Sequence, residues 1–358
     1  MTSPQHSLDK MMQQAYRKEQ PRAASLAARV KREAGNMTDS SMDRTRQEDH
    51  RGSCSEESLC CREDAILPSR HSVPINFPQR DRKKKHDRST MSPETLKTFE
   101  ETILPNRIRC MEAQKRSIAS LACEPDAPRS EATEELLGEI RTMALQLGAD
   151  RVGFTRVPRH LIFSGKAILY ENAIMLAQDM DRGRIATSPS MEAAQATFET
   201  YANLGEIANS LADFLREAGC GAQAGMALGG LSFYPELAQQ AGMGVRGRNG
   251  LLISDGPGPA QRLGCVNTSL NLPQTRENPH AWVTDFCNQC LHCVRVCPMD
   301  ALYDEPKAKK PEGFVYLDSE RCRPYFSDNH GCGICIAECP FFRRDYATIR
   351  ERFLRSNL

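Results

Sequence analysis

Eight cysteines crowd into residues 287–339, and their spacing carries the chemistry. In Cys287-x-x-Cys290-x-x-Cys293-x-x-x-Cys297-Pro298, three thiols stand two residues apart, and a fourth follows a longer step and precedes a proline. Thiolates are soft ligands suited to iron–sulfur clusters. Three so close can take three corners of one 4Fe–4S cubane, while the fourth is thrown clear toward a second. Cys332-x-x-Cys335-x-x-x-Cys339-Pro340 repeats the last three members of the run. Its first member would fall at Asn329, so Cys322, the nearest thiol before Cys332, is the expected substitute. Crossover then assigns Cys287, Cys290, Cys293 and Cys339 to one cluster and Cys297, Cys322, Cys332 and Cys335 to the other. His330 stands close by, but with a cysteine available it is not needed as a ligand. A structural zinc site would require only four thiolates in two pairs.

The remaining composition agrees with metal rather than disulfides. The chain has 358 residues, 15 of them cysteine, and a formal net charge of +1, which gives no general argument for nucleic acid or an acidic membrane as partner. No apolar run approaches the 18 residues or so of a membrane span. The first thirty residues are polar and basic, unlike a secretory signal. The expected compartment is the cytoplasm, where thiols stay reduced.

The elements that position the cysteines follow from periodicity. Residues 1–92 are poor in apolar side chains and read as a disordered extension. It includes the charge block Gln79–Arg88, read as a solvated linker, and Cys54, Cys60 and Cys61, whose spacing fits no metal framework. Residues 93–129 read as a short helical linker ending at Pro125 and Pro128. From Ser130, Leu136, Leu137, Ile140, Met143, Ala144 and Leu147 fall at helical spacing behind Thr133, Glu134 and Glu135, with Gly148 as the stop. Strands are predicted at 151–154, 173–177, 221–227, 251–254 and 263–270, and helices at 191–218 and 235–241. The alternation predicts an α+β fold, with an α/β domain over 130–275, a ferredoxin-like domain with two 4Fe–4S clusters over 276–345, and a C-terminal helix over 346–358. Cys220 and Cys265 read as small core residues.

Two motif matches fail in context. Gly242-Met243-Gly244-Val245-Arg246-Gly247 spells G-x-G-x-x-G, but a helix precedes it and a strand follows, the reverse of the dinucleotide fingerprint. The glycines are expected to serve a tight turn. Asp328-Asn329-His330-Gly331-Cys332-Gly333 spells the D-x-H-x-x-G of proteins that ligate cobalt through histidine, yet it lies inside the cluster loop and reads as chance.

The segment Ala241–Ser254, AGMGVRGRNGLLIS, resembles the "AGLGxxGRxGLLI" block of corrinoid-dependent reductive dehalogenases, a block found in related form in epoxyqueuosine reductases. Arg262-Leu263-Gly264 to Leu272-Pro273 is similar to their "RLGxVxTDLPL" strand, and Gly331–Phe341, GCGICIAECPF, to the dehalogenase "CGICIAVCPF" ending. The resemblance covers roughly residues 135–345 and favours the dehalogenase branch. No segment like the epoxyqueuosine "RDYHK", which supplies an acidic donor, precedes the long helix, and the chain stops soon after the last cysteine. The twin-arginine export signal of respiratory dehalogenases is not visible, which favours a cytoplasmic, non-respiratory relative.

The resemblance implies a nitroreductase-like domain that binds a corrinoid (cobalamin) beside one cluster, gripped largely by backbone. It implies Tyr201 as the proton donor, and Tyr234, Gly244, Arg246, Gly247 and Arg248 as cofactor contacts. The implied activity is an iron–sulfur oxidoreductase that passes electrons through two 4Fe–4S clusters to cobalt and then to an organohalide or similar small molecule. A low-potential ferredoxin or flavodoxin would supply the electrons. The alternatives are a ferredoxin-type electron-transfer protein without corrinoid and an epoxyqueuosine-type tRNA reductase, the one reading that involves nucleic acid.

Overall fold

The computed structural model describes residues 64–69, 93–275, 277–308 and 314–356. The charge block at 79–88 and Cys54, Cys60 and Cys61 lie outside them. The chain divides into two units, residues 1–53 with 121–123 and residues 54–120 with 124–358. Within the first, only the 3-10 turn Leu121–Cys123 is described. All elements below belong to the second.

Helix α1 (Pro93–Thr98) runs through a π-helical turn (Phe99–Ile103) into α2 (Leu104–Ser120). Next come α3 (Glu134–Gln146), β1 (Arg151–Arg156), β2 (Asn172–Asp179), α4 (Arg182–Ile185) and the long α5 (Met191–Glu217). Then follow β3 (Ala222–Gly225), α6 (Tyr234–Gln240), β4 (Val245–Arg246), β5 (Leu252–Ile253) and β6 (Gln261–Thr268). The cysteine region holds α7 (Trp282–Cys290), α8 (His292–Arg295), β7 (Leu302–Ala308), β8 (Phe314–Leu317), α9 (Ser319–Asp328), α10 (Ile334–Ala337), α11 (Pro340–Arg343) and α12 (Tyr346–Ser356).

Local chemistry sets the helix ends. The Thr133 hydroxyl accepts the Leu136 N–H at 3.3 Å, and Glu134 and Glu135 face the positive end of the α3 dipole. Gly148, at φ 106°, closes that helix in a conformation that side chains disfavour. Ser190 caps α5 by accepting the Ala193 N–H at 3.0 Å.

Four antiparallel strands form the central sheet in the order β1-β2-β6-β3. In β2, Ile174 and Leu176 point to one face, while Ala173, Met175 and Ala177 point to the other, and all five are buried. The first face packs against Leu136, Leu137 and Ile140 of α3 and Leu204, Leu211 and Leu215 of α5. The second is covered by Tyr234, Leu237 and Ala238 of α6. Burial on both faces explains why β2 reads as an unbroken apolar run rather than an alternating one. Cys220 and Cys265 lie in these cores.

The stretch expected as a short helical linker holds a continuous helical run over 93–120, and α2 packs along α5. Its inward residues, Asn106, Cys110, Ala113 and Ser117, are small or polar. Arg109 grips Glu206 with two bonds of 2.9 Å, Arg116 pairs with Asp213, and Asn209 donates to the Ala113 carbonyl at 2.9 Å. A Cβ on Gly205 would lie 2.9 Å from that of Ala113, so glycine permits the close approach. A contact built from hydrogen bonds and small residues leaves little hydrophobic period to read. Within 64–69, Ile66 exchanges backbone hydrogen bonds with Ile168 at 2.7 and 3.2 Å. No helix among the described residues is long and apolar enough to cross a membrane.

Candidate functional site

The two cysteine runs fold as repeats of one local design. Leu291 (φ 47°) and Gly333 (φ 91°) both adopt the left-handed conformation, and each opens a four-residue helix, α8 or α10. Those helices carry Cys293 and Cys335, and Cys297-Pro298 or Cys339-Pro340 follows each. At Leu291 the left-handed backbone is strained, and such strain is commonly stored where a loop must aim ligands.

The repeat breaks at Asn329, whose amide donates to the Tyr325 carbonyl at 3.0 Å. Cys322, the expected substitute, lies on α9, a helix capped by the Asp318 carboxylate accepting the Glu320 and Arg321 N–H groups at 3.1 Å.

Cys287, Cys290, Cys293 and Cys339 line one narrow cavity with Arg248, Leu291 and Phe341, the set expected from crossover. Burial pushes the thiol of Cys287 up to about 11 and that of Cys293 up to about 12, and drives Cys339 higher still. At Cys287 the Arg248 backbone N–H and the Arg248 charge oppose that rise.

The second set is also brought together. Cys322 lies within electrostatic reach of Cys332 and Cys297, and Cys335 within reach of Cys293, Cys332, Cys322 and Cys297. Burial pushes Cys335 up to about 12. Its coupling to Cys293 puts the two sets side by side. Buried thiols of this kind become thiolates only against metal charge, so cluster assembly must release protons. Among the described residues no three His, Cys, Asp or Glu side chains could cage a single ion. Two sets of four thiols are the donor set that two cubanes take.

An aromatic shell, which the sequence reading did not single out, backs the first set. Trp282, Phe286, Phe341 and Tyr346 meet edge to face, with centroids 4.9–6.3 Å apart where their rings are steeply inclined. Its only sequence signal is aromatic residues flanking the cysteine runs.

The other predicted site residues go to separate places. Gly244 and Gly247 belong to the β4–β5 hairpin. A Cβ on Gly244 would collide with the Ile253 carbonyl oxygen, and one on Gly247 would lie 2.8 Å from the Ile253 side chain. Both glycines let the two sides of the hairpin approach closely. Arg246 pairs with Glu236 at 3.0 Å and stacks on Tyr316 and Phe233 at 4.3 and 4.7 Å from their centroids. Tyr234 is buried. Its hydroxyl accepts the Leu231 N–H at 3.3 Å, and burial raises its pKa well above the ordinary phenol value. Arg248 turns to the cluster cavity. Asn249, another residue the sequence reading missed, donates to the Cys335 carbonyl at 3.2 Å, so the hairpin tip touches both cysteine sets. Tyr201 is half-buried on α5, with Phe198 at 6.1 Å and the Arg262 guanidinium over its ring at 5.1 Å.

A second cavity of about 350 Å³ lies elsewhere, lined by Arg141, Val152, Met243, Asp255 and His280 among others. That is at the small end of ligand pockets. None of the predicted cofactor contacts lines it. Neither of these two cavities matches a corrinoid in size.

Residues 286–342 match the model of the 4Fe-4S dicluster domain, and this segment is such a domain. The tetrachloroethene reductive dehalogenase of Desulfitobacterium hafniense is 33% identical over 187 residues, 47% of this chain and 32% of that protein. The epoxyqueuosine reductase of Listeria monocytogenes is 32% identical over 114 residues, 30% of this chain and 29% of that protein. The chain thus spans about a third of the length of the curated relatives it matches. In fold it is similar to the catabolic reductive dehalogenase NpRdhA, with a TM-score of 0.58 at 22% identity over 68% of this chain and 38% of that one. Together with the two cysteine sets, these likenesses make the chain similar to the reductive dehalogenases and the epoxyqueuosine reductases, and more strongly to the former.

Proposed function

We propose that the chain is an iron–sulfur oxidoreductase of the reductive dehalogenase type, taking single electrons from a low-potential donor such as a ferredoxin or flavodoxin. The observation that supports it most is the pair of adjacent cysteine sets within a dehalogenase-like fold. The cofactor that goes with this reading is a corrinoid, which when bound supplies low-valent cobalt able to attack or reduce a carbon–halogen bond. The chain's own part is to hold the clusters, exclude water from them behind Trp282, Phe286 and Phe341, and provide a proton. Tyr201 is the proposed proton donor, and Arg262 over its ring is a cation that favours negative charge developing nearby. The substrate class is a small reducible molecule, an organohalide first, and the compartment is the cytoplasm.

The test is anaerobic purification with added cobalamin. Cobalt and a corrinoid spectrum should co-purify with the protein, and a halogenated aromatic or alkane should then be consumed with halide release. Protein that carries iron but takes up no corrinoid would instead be an electron carrier.

A further inference from the structure

Arg248 is only 6% exposed, and its guanidinium faces the cavity lined by Cys287, Cys290, Cys293 and Cys339. One nitrogen, Nη2, donates to the Asn288 side-chain oxygen, and Asn288 sits on α7 between the first two cysteines. The other two, Nε and Nη1, are buried with no hydrogen-bond partner in the protein. No carboxylate pairs with this charge among the described residues, in contrast to Arg246, which meets Glu236 two positions earlier. A buried guanidinium with two idle donors is costly unless an anion faces it. The cavity is where such an anion belongs: a cubane held by four thiolates carries net negative charge, and its sulfurs accept hydrogen bonds. The Arg248 backbone N–H already serves the Cys287 sulfur.

We infer that the Arg248 guanidinium donates Nε–H and Nη1–H to sulfur of the cluster held by Cys287, Cys290, Cys293 and Cys339, and so raises that cluster's reduction potential. Reduction adds one electron and deepens the negative charge, so a fixed cation with two donors stabilises the reduced form more than the oxidised one. Hydrogen bonds to cluster sulfur and local net charge are among the recognised determinants of such potentials. Arg248 thereby orders the two clusters in potential, favouring the electron on the one it faces. This assigns Arg248 to iron–sulfur rather than to a corrinoid, and it holds whether or not a corrinoid binds.

The experiment is an EPR-monitored redox titration of the anaerobically reconstituted full chain, wild type against Arg248→Met and Arg248→Lys. In Arg248→Met the reduction equilibrium of one cluster should fall by about tenfold, a midpoint shift of about 59 mV for one electron, and the other should move much less. Arg248→Lys, which keeps the charge but not the fork, should fall between. Unchanged midpoints, or equal shifts at both clusters, would overturn the assignment. If Arg248→Met loses its cluster, the wild type decides the matter. With 15N placed only in arginine guanidinium groups, pulsed EPR of the reduced protein should show a 15N coupling to one cluster, and its absence would refute the contact.

Discussion

Replacing Cys322 with alanine isolates the one place where the second cysteine run departs from the first. The structure puts this thiol on α9, away from the repeat's own loop, yet within electrostatic reach of Cys297 and Cys332. If Cys322 stands in for the missing cysteine at Asn329, its removal leaves Cys297, Cys332 and Cys335 with one iron corner open. The first set keeps all four thiols, its own cavity and its aromatic backing of Phe286 and Phe341. Two cubanes carry about eight irons, so the variant should retain about four. Iron and acid-labile sulfide should fall together by half, and EPR of the reduced variant should lose the spin coupling between two neighbouring clusters. Cys265→Ala, at a buried cysteine far in sequence from both runs, serves as the control and should keep about eight irons. Full iron in Cys322→Ala would show that another group completes the second set. Loss of all iron would show that the two sets do not assemble separately.

Other outcomes follow from the packing and the charges. Leu211→Ala, at a fully buried site between α5 and the sheet, should cost about 2–5 kcal/mol in denaturant unfolding. Glu124→Ala should cost about 1–3 kcal/mol, because it removes the acceptor of the Ala222 N–H at 3.0 Å and one partner of the buried Arg216, which keeps its pair with Asp213 and its bond to the Ala222 carbonyl. Burial lowers the pKa of His280 below 6.5, so the unfolded chain takes up its proton at a higher pH than the folded one. Stability should therefore drop as pH falls below about 6.5, and His280→Gln should flatten that limb of a pH series of unfolding curves. A chain starting at Pro93 forgoes the Ile66–Ile168 pair and should keep both clusters, which iron analysis of the soluble protein would show. On the proposed dehalogenase reading, Tyr201→Phe should slow halide release while leaving iron and added cobalamin bound, and a fully active variant would move the proton donor elsewhere.

Much of this was legible because the signals were local. The acidic first turn at Glu134 and Glu135, the stop at Gly148, the long α5 and the turn at Gly242–Gly250 each carry a local signal. The cysteine spacing likewise names two sets, because the spacing itself constrains which thiols can share a cubane. What the sequence hid depends on contacts between distant segments. Helix α2 docks through Arg109, Arg116, Asn209 and small residues, so its inward face carries little hydrophobic period, and the stretch reads as short linking helices rather than as a packed part of the domain. Arg246 and Arg248 look alike in the glycine block, yet one meets Glu236 and two aromatic rings while the other faces the cysteines. Only the hairpin that separates them by two residues, turning their side chains to different neighbours, tells them apart. Tyr234 resembled a pocket residue because it opens a helix, but the sheet closes over it at Gly225 and Cys265.

The central claim is that eight cysteines hold two cubanes in the proportions the spacing dictates. Anaerobic iron and acid-labile sulfide analysis of the purified chain, with EPR before and after reduction, tests it most directly. The account predicts about eight irons and eight sulfides per chain, and an interacting pair of reduced 4Fe–4S signals. Zinc in place of iron, or about four irons in a single cluster, would contradict it.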